Sequence, residues 1–180
     1  MSIWVFGYGS LIWNPEFDPA ETAIATLPNY ARSFCMRSIH HRGSEAAPGL
    51  VLALDHAPGA QCLGLAMRLP SAGRDTILTT LRERELVSSA YVEMHLPIWL
   101  KDGREVTALA YVVDPDHGQY CGDLPLAEQA RIIARATGRR GPNRDYLFAT
   151  QTHLAQLGIA DGELGDLSDM VRRLVDKSLA

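Results

Sequence analysis

The chain has 180 residues, 47% hydrophobic and 21% charged, with a formal net charge of −4. That length fits one domain, residues 1–180, burying about two thirds of its unfolded surface, and the ordinary composition excludes a fibrous or disordered chain. The acidic balance argues against a nucleic-acid partner, and no stretch approaches the roughly 20 apolar residues of a membrane span.

The first 70 residues read as short strands. Ile3–Phe6 is predicted first; it opens the stretch 4–13, WVFGYGSLIW, in which Gly7, Tyr8, Gly9 and Ser10 interrupt two apolar runs. Strands are predicted next at Ala23–Asn29, Ala31–Arg37, Leu50–Leu54 and Cys62–Leu69, with turn signals at Pro48-Gly49 and Pro58-Gly59. Ser71 is the expected N-cap of a helix reaching Leu86, with Ile77, Leu78 and Leu81 on one face. Ala90–Leu100 and Arg104–Val113 form an expected hairpin around Lys101-Asp102-Gly103. The last third is helical: Leu126–Ala136, then Arg144–Leu157 capped by Asn143 and stopped by Gly158, then a helix carrying Leu164, Leu167, Val171 and Leu174. Strands first and helices late predict an α+β fold, here a small mixed β-barrel with helices outside.

Cys35, Cys62 and Cys121 are odd in number and widely spaced, which fits a reduced cytoplasmic setting without a disulfide framework. No CxxC or HxxxH spacing points to a metal, and the apolar N-terminus lacks the cationic leader and cleavage site of a signal peptide. The basic cluster Arg139, Arg140 and Arg144 reads as solvated surface, and nothing in the chain indicates its oligomeric state.

Three places can carry chemistry. Glycine inside an apolar run marks a bulge, a bend or the close approach of a ligand. Successive N–H groups of a Gly-Tyr-Gly-Ser turn can also gather around an anion or a developing oxyanion. A plain β-corner is the competing reading. There is no GxGxxG or GxxxxGK[ST] for a nucleotide, and Ser10 lacks the GxSxG setting of a hydrolase nucleophile. Glu83 and Glu85 end the predicted helix, where the dipole raises a carboxyl pKa and burial raises it further, toward values useful for acid–base work. Two residues apart, they point to different sides, so one at most faces a pocket; a solvated helix end balanced by Arg82 and Arg84 is the alternative. His40-His41-Arg42-Gly43 reads as a polar turn, and Tyr146, in the first turn of its helix, reads as a contact residue or as packing.

Together these pieces resemble the ChaC family of γ-glutamylcyclotransferases, the glutathione-specific branch. The resemblance rests on Trp4-Val-Phe-Gly-Tyr-Gly-Ser-Leu-Ile-Trp13, His41-Arg-Gly43, Pro48-Gly49, Gly64-Leu-Ala-Met-Arg-Leu-Pro70, Arg84-Glu-Leu-Val-Ser-Ser-Ala-Tyr91 and Gly141-Pro-Asn-Arg-Asp-Tyr-Leu-Phe148. It implies a small β-barrel, no metal or organic cofactor, and cleavage of glutathione to 5-oxoproline and cysteinylglycine. It also implies that Val5, Phe6, Gly7, Tyr8, Gly9, Ser10 and Leu11 hold the γ-glutamyl group and that Glu85 is the acid–base. Glu83 is the competing alignment. Tyr146 and Arg42 are implied as substrate contacts, Arg42 through a carboxylate. The chain departs from the family at Ser88-Ser89-Ala90, where a glycine is common. Two alternatives remain: a same-fold enzyme for γ-glutamyl-amino acids or amines, and a non-catalytic regulator linked by the family's name to cation transport.

Overall fold

A computed structural model describes residues 2–86 and 88–179. The chain divides into two compact units, Met1–Arg32 with Ala53–His117, and Ser33–Leu52 with Gly118–Ala180.

The strands of the barrel are β1 (Trp4–Gly7), β2 (Glu21–Ser38), β3 (Gly49–Arg68), β4 (Tyr91–Leu100) and β5 (Glu105–Val113), closed in the order β1-β3-β2-β4-β5. They lie in the first unit except for 33–38 of β2 and 49–52 of β3. β1 is antiparallel to β3, with Gly7 opposite Leu65, and parallel to β5, with Val5 opposite Leu109. β4 and β5 form the expected hairpin, with Trp99 opposite Glu105 and Gly103 at φ 93 in the turn. Phe6, Leu27, Met67, Ile98 and Leu109 are fully buried and fill this core. The barrel and the segregated helices bear out the α+β expectation.

The strand count is corrected in two places. Ala23–Asn29 and Ala31–Arg37 belong to the single strand β2, and Leu50–Leu54 and Cys62–Leu69 to the single strand β3. The Pro58-Gly59 signal is therefore no chain reversal. Gly59 takes φ 82 and donates its N–H to Oδ1 of Asn29, which itself has φ 63. A left-handed residue in each of two adjacent strands bends them without ending them, as a bulge does.

The helix α1 (Arg74–Glu85) also belongs to this unit. Leu81 is its buried anchor, while Ile77 and Leu78 are half-buried. Its N-cap is Gly73 at φ 69, without a side-chain bond, so Ser71 does not cap it. Ser71 lies two residues too early, and the left-handed turn at Gly73 is what lets the chain enter the helix.

The second unit carries α2 (Leu126–Arg135), a two-residue hairpin of β6 (Thr137–Gly138) and β7 (Gly141–Pro142), α3 (Asn143–Gln156) and α4 (Gly162–Leu179). Ile133, Leu147, Leu154, Leu167 and Val171 are buried between the helices, whereas Leu174 is exposed. Gly158, at φ 72, stops α3 as expected: its N–H reaches Ala155 O and the next N–H, from Ile159, reaches Leu154 O. That pair of bonds is a Schellman cap. Asn143 is not the cap of α3. Pro142 holds that position, and Asn143 turns inward, with Oδ1 accepting from Leu50 N and Nδ2 donating to Leu50 O, both at 2.7 Å. An asparagine amide thus stands where a neighbouring strand would pair with Leu50.

Three glycines close this unit tightly. A Cβ on Gly43 would lie 2.0 Å from Gly49 N, one on Gly49 would lie 2.2 Å from Arg42 O, and one on Gly138 would lie 2.5 Å from Gly43 N. The His41-Arg-Gly43 and Pro48-Gly49 motifs are a backbone crossing that only glycine permits.

Candidate active site

β1 ends at Gly7 and the chain turns at once into a single 3-10 turn, Ser10–Ile12. Ile12 N–H donates to Gly9 O and Asn14 N–H to Ser10 O, so the loop carbonyls are drawn into the turn. Val5, Phe6, Gly7, Tyr8, Gly9 and Leu11 are buried and Ser10 is half-buried. The interruption in WVFGYGSLIW has a steric cause on both sides. A Cβ on Gly7 would meet Met67 Cε at 3.0 Å, and one on Gly64 of β3 would lie 2.5 Å from Gly7 O and 2.6 Å from the Phe6 ring. The loop is pressed against β3, and glycines make room for it.

Glu85 is the last residue of α1 and only 16% exposed, while Glu83 is exposed. Burial pushes the Glu85 carboxyl above the usual carboxylate range; the Arg84 guanidinium opposes this and the Glu16 charge adds to it. The helix end therefore sorts the two carboxylates as their spacing requires, one into water and one inward.

Arg84 ties this carboxylate to the glycine loop. Its Nε lies 3.1 Å from Glu85 Oε1, one terminal nitrogen donates to Ser10 Oγ at 3.0 Å, and the other donates to Asn14 O at 2.6 Å and lies 3.4 Å from Glu16 Oε1. One guanidinium thus spans the loop, the segment after it and the candidate acid–base.

Tyr111, which feels the Glu85 charge, and its partner Glu93 escape a reading of the sequence. Tyr111, on β5, is buried, and its phenol is pushed above the usual range by that burial and by the charges of Glu93 and Glu85. Its hydroxyl donates to Glu93 Oε2 at 3.5 Å. Glu93, on β4, receives two bonds from Arg82, at 2.8 and 2.9 Å, and these hold its carboxyl below the usual range. Tyr111 is thus held as a neutral phenol and Glu93 as a paired carboxylate, while burial favours the protonated form of Glu85. Both residues sit in the regular alternation of a hairpin, where nothing in the pattern distinguishes them from structural positions.

The structure brings Arg42 and Tyr146 together within the second unit. The Arg42 guanidinium lies 5.6 Å from the centre of the Tyr146 ring, and Phe34 meets the same ring edge-on at 6.0 Å. One Arg42 nitrogen donates to Arg140 O at 2.8 Å and to Pro142 O at 3.2 Å, which anchors the β6–β7 hairpin. His41 beside it is pushed below the usual imidazole range, by burial first and then by Arg140, His40, Arg42 and Arg139.

In the segment after Glu85, Val87 lies outside the described residues. Ser89 takes φ 55, the left-handed region. Glycine adopts that conformation without penalty, whereas an L-residue loses about 1–2 kcal/mol there. Ser89 therefore holds a conformation that glycine would take without this cost. Among the described residues, no group of three or more His, Cys, Asp or Glu is placed to hold a metal ion, and no helix is long and apolar enough to cross a membrane.

Comparisons with known proteins bear on this geometry. A family model described as ChaC-like protein matches residues 3–174. The glutathione-specific γ-glutamylcyclotransferase of Escherichia coli (strain K12) is 38% identical over 173 residues, which cover 96% of this chain and 74% of that protein. The γ-glutamylcyclotransferase 2-3 of Arabidopsis thaliana is 34% identical over 184 residues, covering 99% of this chain and 92% of that one. Among solved structures, a selenomethionine-labelled yeast γ-glutamylcyclotransferase specific to glutathione superimposes with a TM-score of 0.86 at 23% identity, covering 96% of each chain, a likeness of fold.

Proposed function

This chain belongs to the ChaC-like family, and from that membership we infer that it is a glutathione-specific γ-glutamylcyclotransferase, releasing 5-oxoproline and cysteinylglycine. The observation that carries this reading is the match to the bacterial glutathione-specific enzyme over 96% of the chain. Residues 1–180 work as one domain in this reading, and the enzyme acts in the cytoplasm, in keeping with its three scattered cysteines.

The chemistry follows from the substrate. The α-amine of the γ-glutamyl group attacks its own γ-carbonyl carbon, a C–N bond forms, and a five-membered lactam closes. The C–N bond to the cysteinyl residue then breaks and its nitrogen leaves with a proton. Because the reaction is intramolecular, holding the chain folded back on itself supplies much of the acceleration. Glu85 takes the proton from the attacking amine and returns it to the leaving nitrogen. Its raised pKa suits both halves of that transfer, since an acid–base works best near the operating pH. Backbone N–H groups of the Gly7–Leu11 loop face the γ-carbonyl and steady its oxyanion. Arg84 holds Ser10 and Glu85 in one frame.

The test is 5-oxoproline release from reduced glutathione, oxidised glutathione and γ-glutamyl-alanine. Release from reduced glutathione alone supports the reading. Release chiefly from γ-glutamyl-alanine would move the enzyme to another γ-glutamyl substrate, and no release from a folded sample would favour a binding role.

Arg84→Met gives a second test. The charged groups around Glu85 are Arg84, which lowers its pKa, and Glu16, which raises it; Tyr111 is neutral. Without Arg84 the carboxyl rises further. A base must be ionised to accept a proton, so the acid limb of the kcat/KM profile is expected to move to higher pH. An acid limb that stays in place would remove Arg84 from this role.

A further inference from the structure

A peptide flanked by glycine rotates readily, so the orientation of the Tyr8–Gly9 peptide depends on what its carbonyl is bonded to. Arg32, on β2, reaches across the barrel wall to this loop. Its Nε donates to Tyr8 O at 2.6 Å, and a terminal nitrogen donates to Leu63 O at 2.5 Å. One planar guanidinium thus bridges the carbonyl of the loop to the carbonyl of β3. The β3 side of the bridge is itself fixed, because Gly64, next to Leu63, is packed against Gly7 O with no space for a side chain.

The consequence follows from peptide geometry. In a planar trans peptide the C=O of one residue and the N–H of the next point in opposite directions. A Tyr8 carbonyl held on Arg32 therefore turns the Gly9 N–H away from Arg32. A cation on the oxygen side also polarises the peptide and makes its N–H a stronger donor. Arg32 is absent from the charges that act on Glu85, so this influence is separate from the acid–base.

We propose that Arg32 is a positioning residue for the reaction, fixing the Tyr8–Gly9 peptide so that the Gly9 N–H is aimed at the γ-carbonyl oxygen of the substrate. The proposal rests on the cyclotransferase reading. The oxyanion carries its full charge only as the amine attacks, so the interaction counts most in the transition state, and its loss appears in kcat.

The experiment compares wild type, Arg32→Lys and Arg32→Met with reduced glutathione, recording kcat, KM, the pH profile and thermal unfolding. Arg32→Met is expected to lose about 10²-fold in kcat with KM within about 3-fold, the size of effect seen when an oxyanion donor is lost. Arg32→Lys keeps a cation but not the planar fork, and an intermediate loss is expected. The acid limb of the pH profile stays where the wild type has it. Arg32→Lys guards against misfolding of the methionine variant, and methylguanidinium added to Arg32→Ala is expected to restore part of kcat. A kcat unchanged in folded Arg32→Lys and Arg32→Met, with an active wild type, would overturn this proposal alone. A loss confined to KM or to thermal stability would overturn it as well. No product from the wild type would overturn it together with the reading on which it rests.

Discussion

Glu85→Gln is expected to lower 5-oxoproline release from reduced glutathione by about 10²–10⁴-fold, the usual worth of a positioned acid–base. Glu83→Gln, at an exposed carboxylate two residues earlier, is expected to stay within a few-fold of wild type. The pair separates the two alignments that the sequence leaves open. Stability gives an independent check. Burial holds the Glu85 pKa above its unfolded value, so folding favours the protonated form. Below the unfolded pKa, wild type and Glu85→Gln are expected to unfold alike. As the pH rises through the folded pKa, the wild type must bury a carboxylate that prefers water, and it loses that stability; the glutamine variant does not. At pH 7 the inactive variant is therefore expected to melt at or above the wild-type temperature, with the gap closing near pH 4. Thermal unfolding at the two pH values measures this. A Glu85→Gln protein that is less stable at pH 7 would mean that its inactivity reflects damage to the fold.

The largest stability effect is expected at Asn143. Its amide makes both hydrogen bonds of Leu50, and both residues are fully buried. In Asn143→Ala the Leu50 N–H and C=O are left in an apolar interior without partners. Each unsatisfied group costs about 1–3 kcal/mol, so the loss for the two is about 2–6 kcal/mol. For a chain of this size each kcal/mol moves the midpoint by about 2–4 °C, which gives a fall on the order of 10 °C. Asn143→Asp is expected to be worse at neutral pH, because it keeps the acceptor, loses the donor and buries a charge. A Tm for Asn143→Ala within 2 °C of wild type would show that water replaces the amide at no cost.

Asn143 also shows where a sequence misleads. An asparagine ahead of a helical run is the ordinary mark of an N-cap, and only the placement of β3 beside it gives the amide a better use. Pro58-Gly59 misleads in the same way: the dipeptide reports a left-handed residue, and the pairing with Asn29 makes it a bend within a strand. Signals that depend on local chemistry alone were legible. Asp102-Gly103 makes its hairpin and Gly158 its helix stop, since a positive φ is required at each glycine whatever surrounds it. The glycine loop and Glu85 stood out because both break a local preference, apolar continuity in one case and dipole complementarity in the other. Arg32, Glu93 and Tyr111 break none. Each is a plain strand residue until the fold sets Arg32 against the loop, Tyr111 within reach of the Glu85 charge, and Glu93 against Tyr111.

The place of β1 in the barrel has a consequence for synthesis. This strand leads straight into the glycine loop, yet its parallel partners, Ala108 and Leu109, come about a hundred residues later. Such distant pairing gives a high contact order, and closure of so long a loop delays folding. On the ribosome, where chains grow at about 5–20 residues per second, β1 waits many seconds before β5 has been made. Until then the segment WVFGYGSLIW is an apolar strand with an open edge, prone to pair with other chains. β1 thus reaches its final geometry only after a strand made about a hundred residues later. Nascent chains arrested before residue 105 are expected to aggregate through their own first strand.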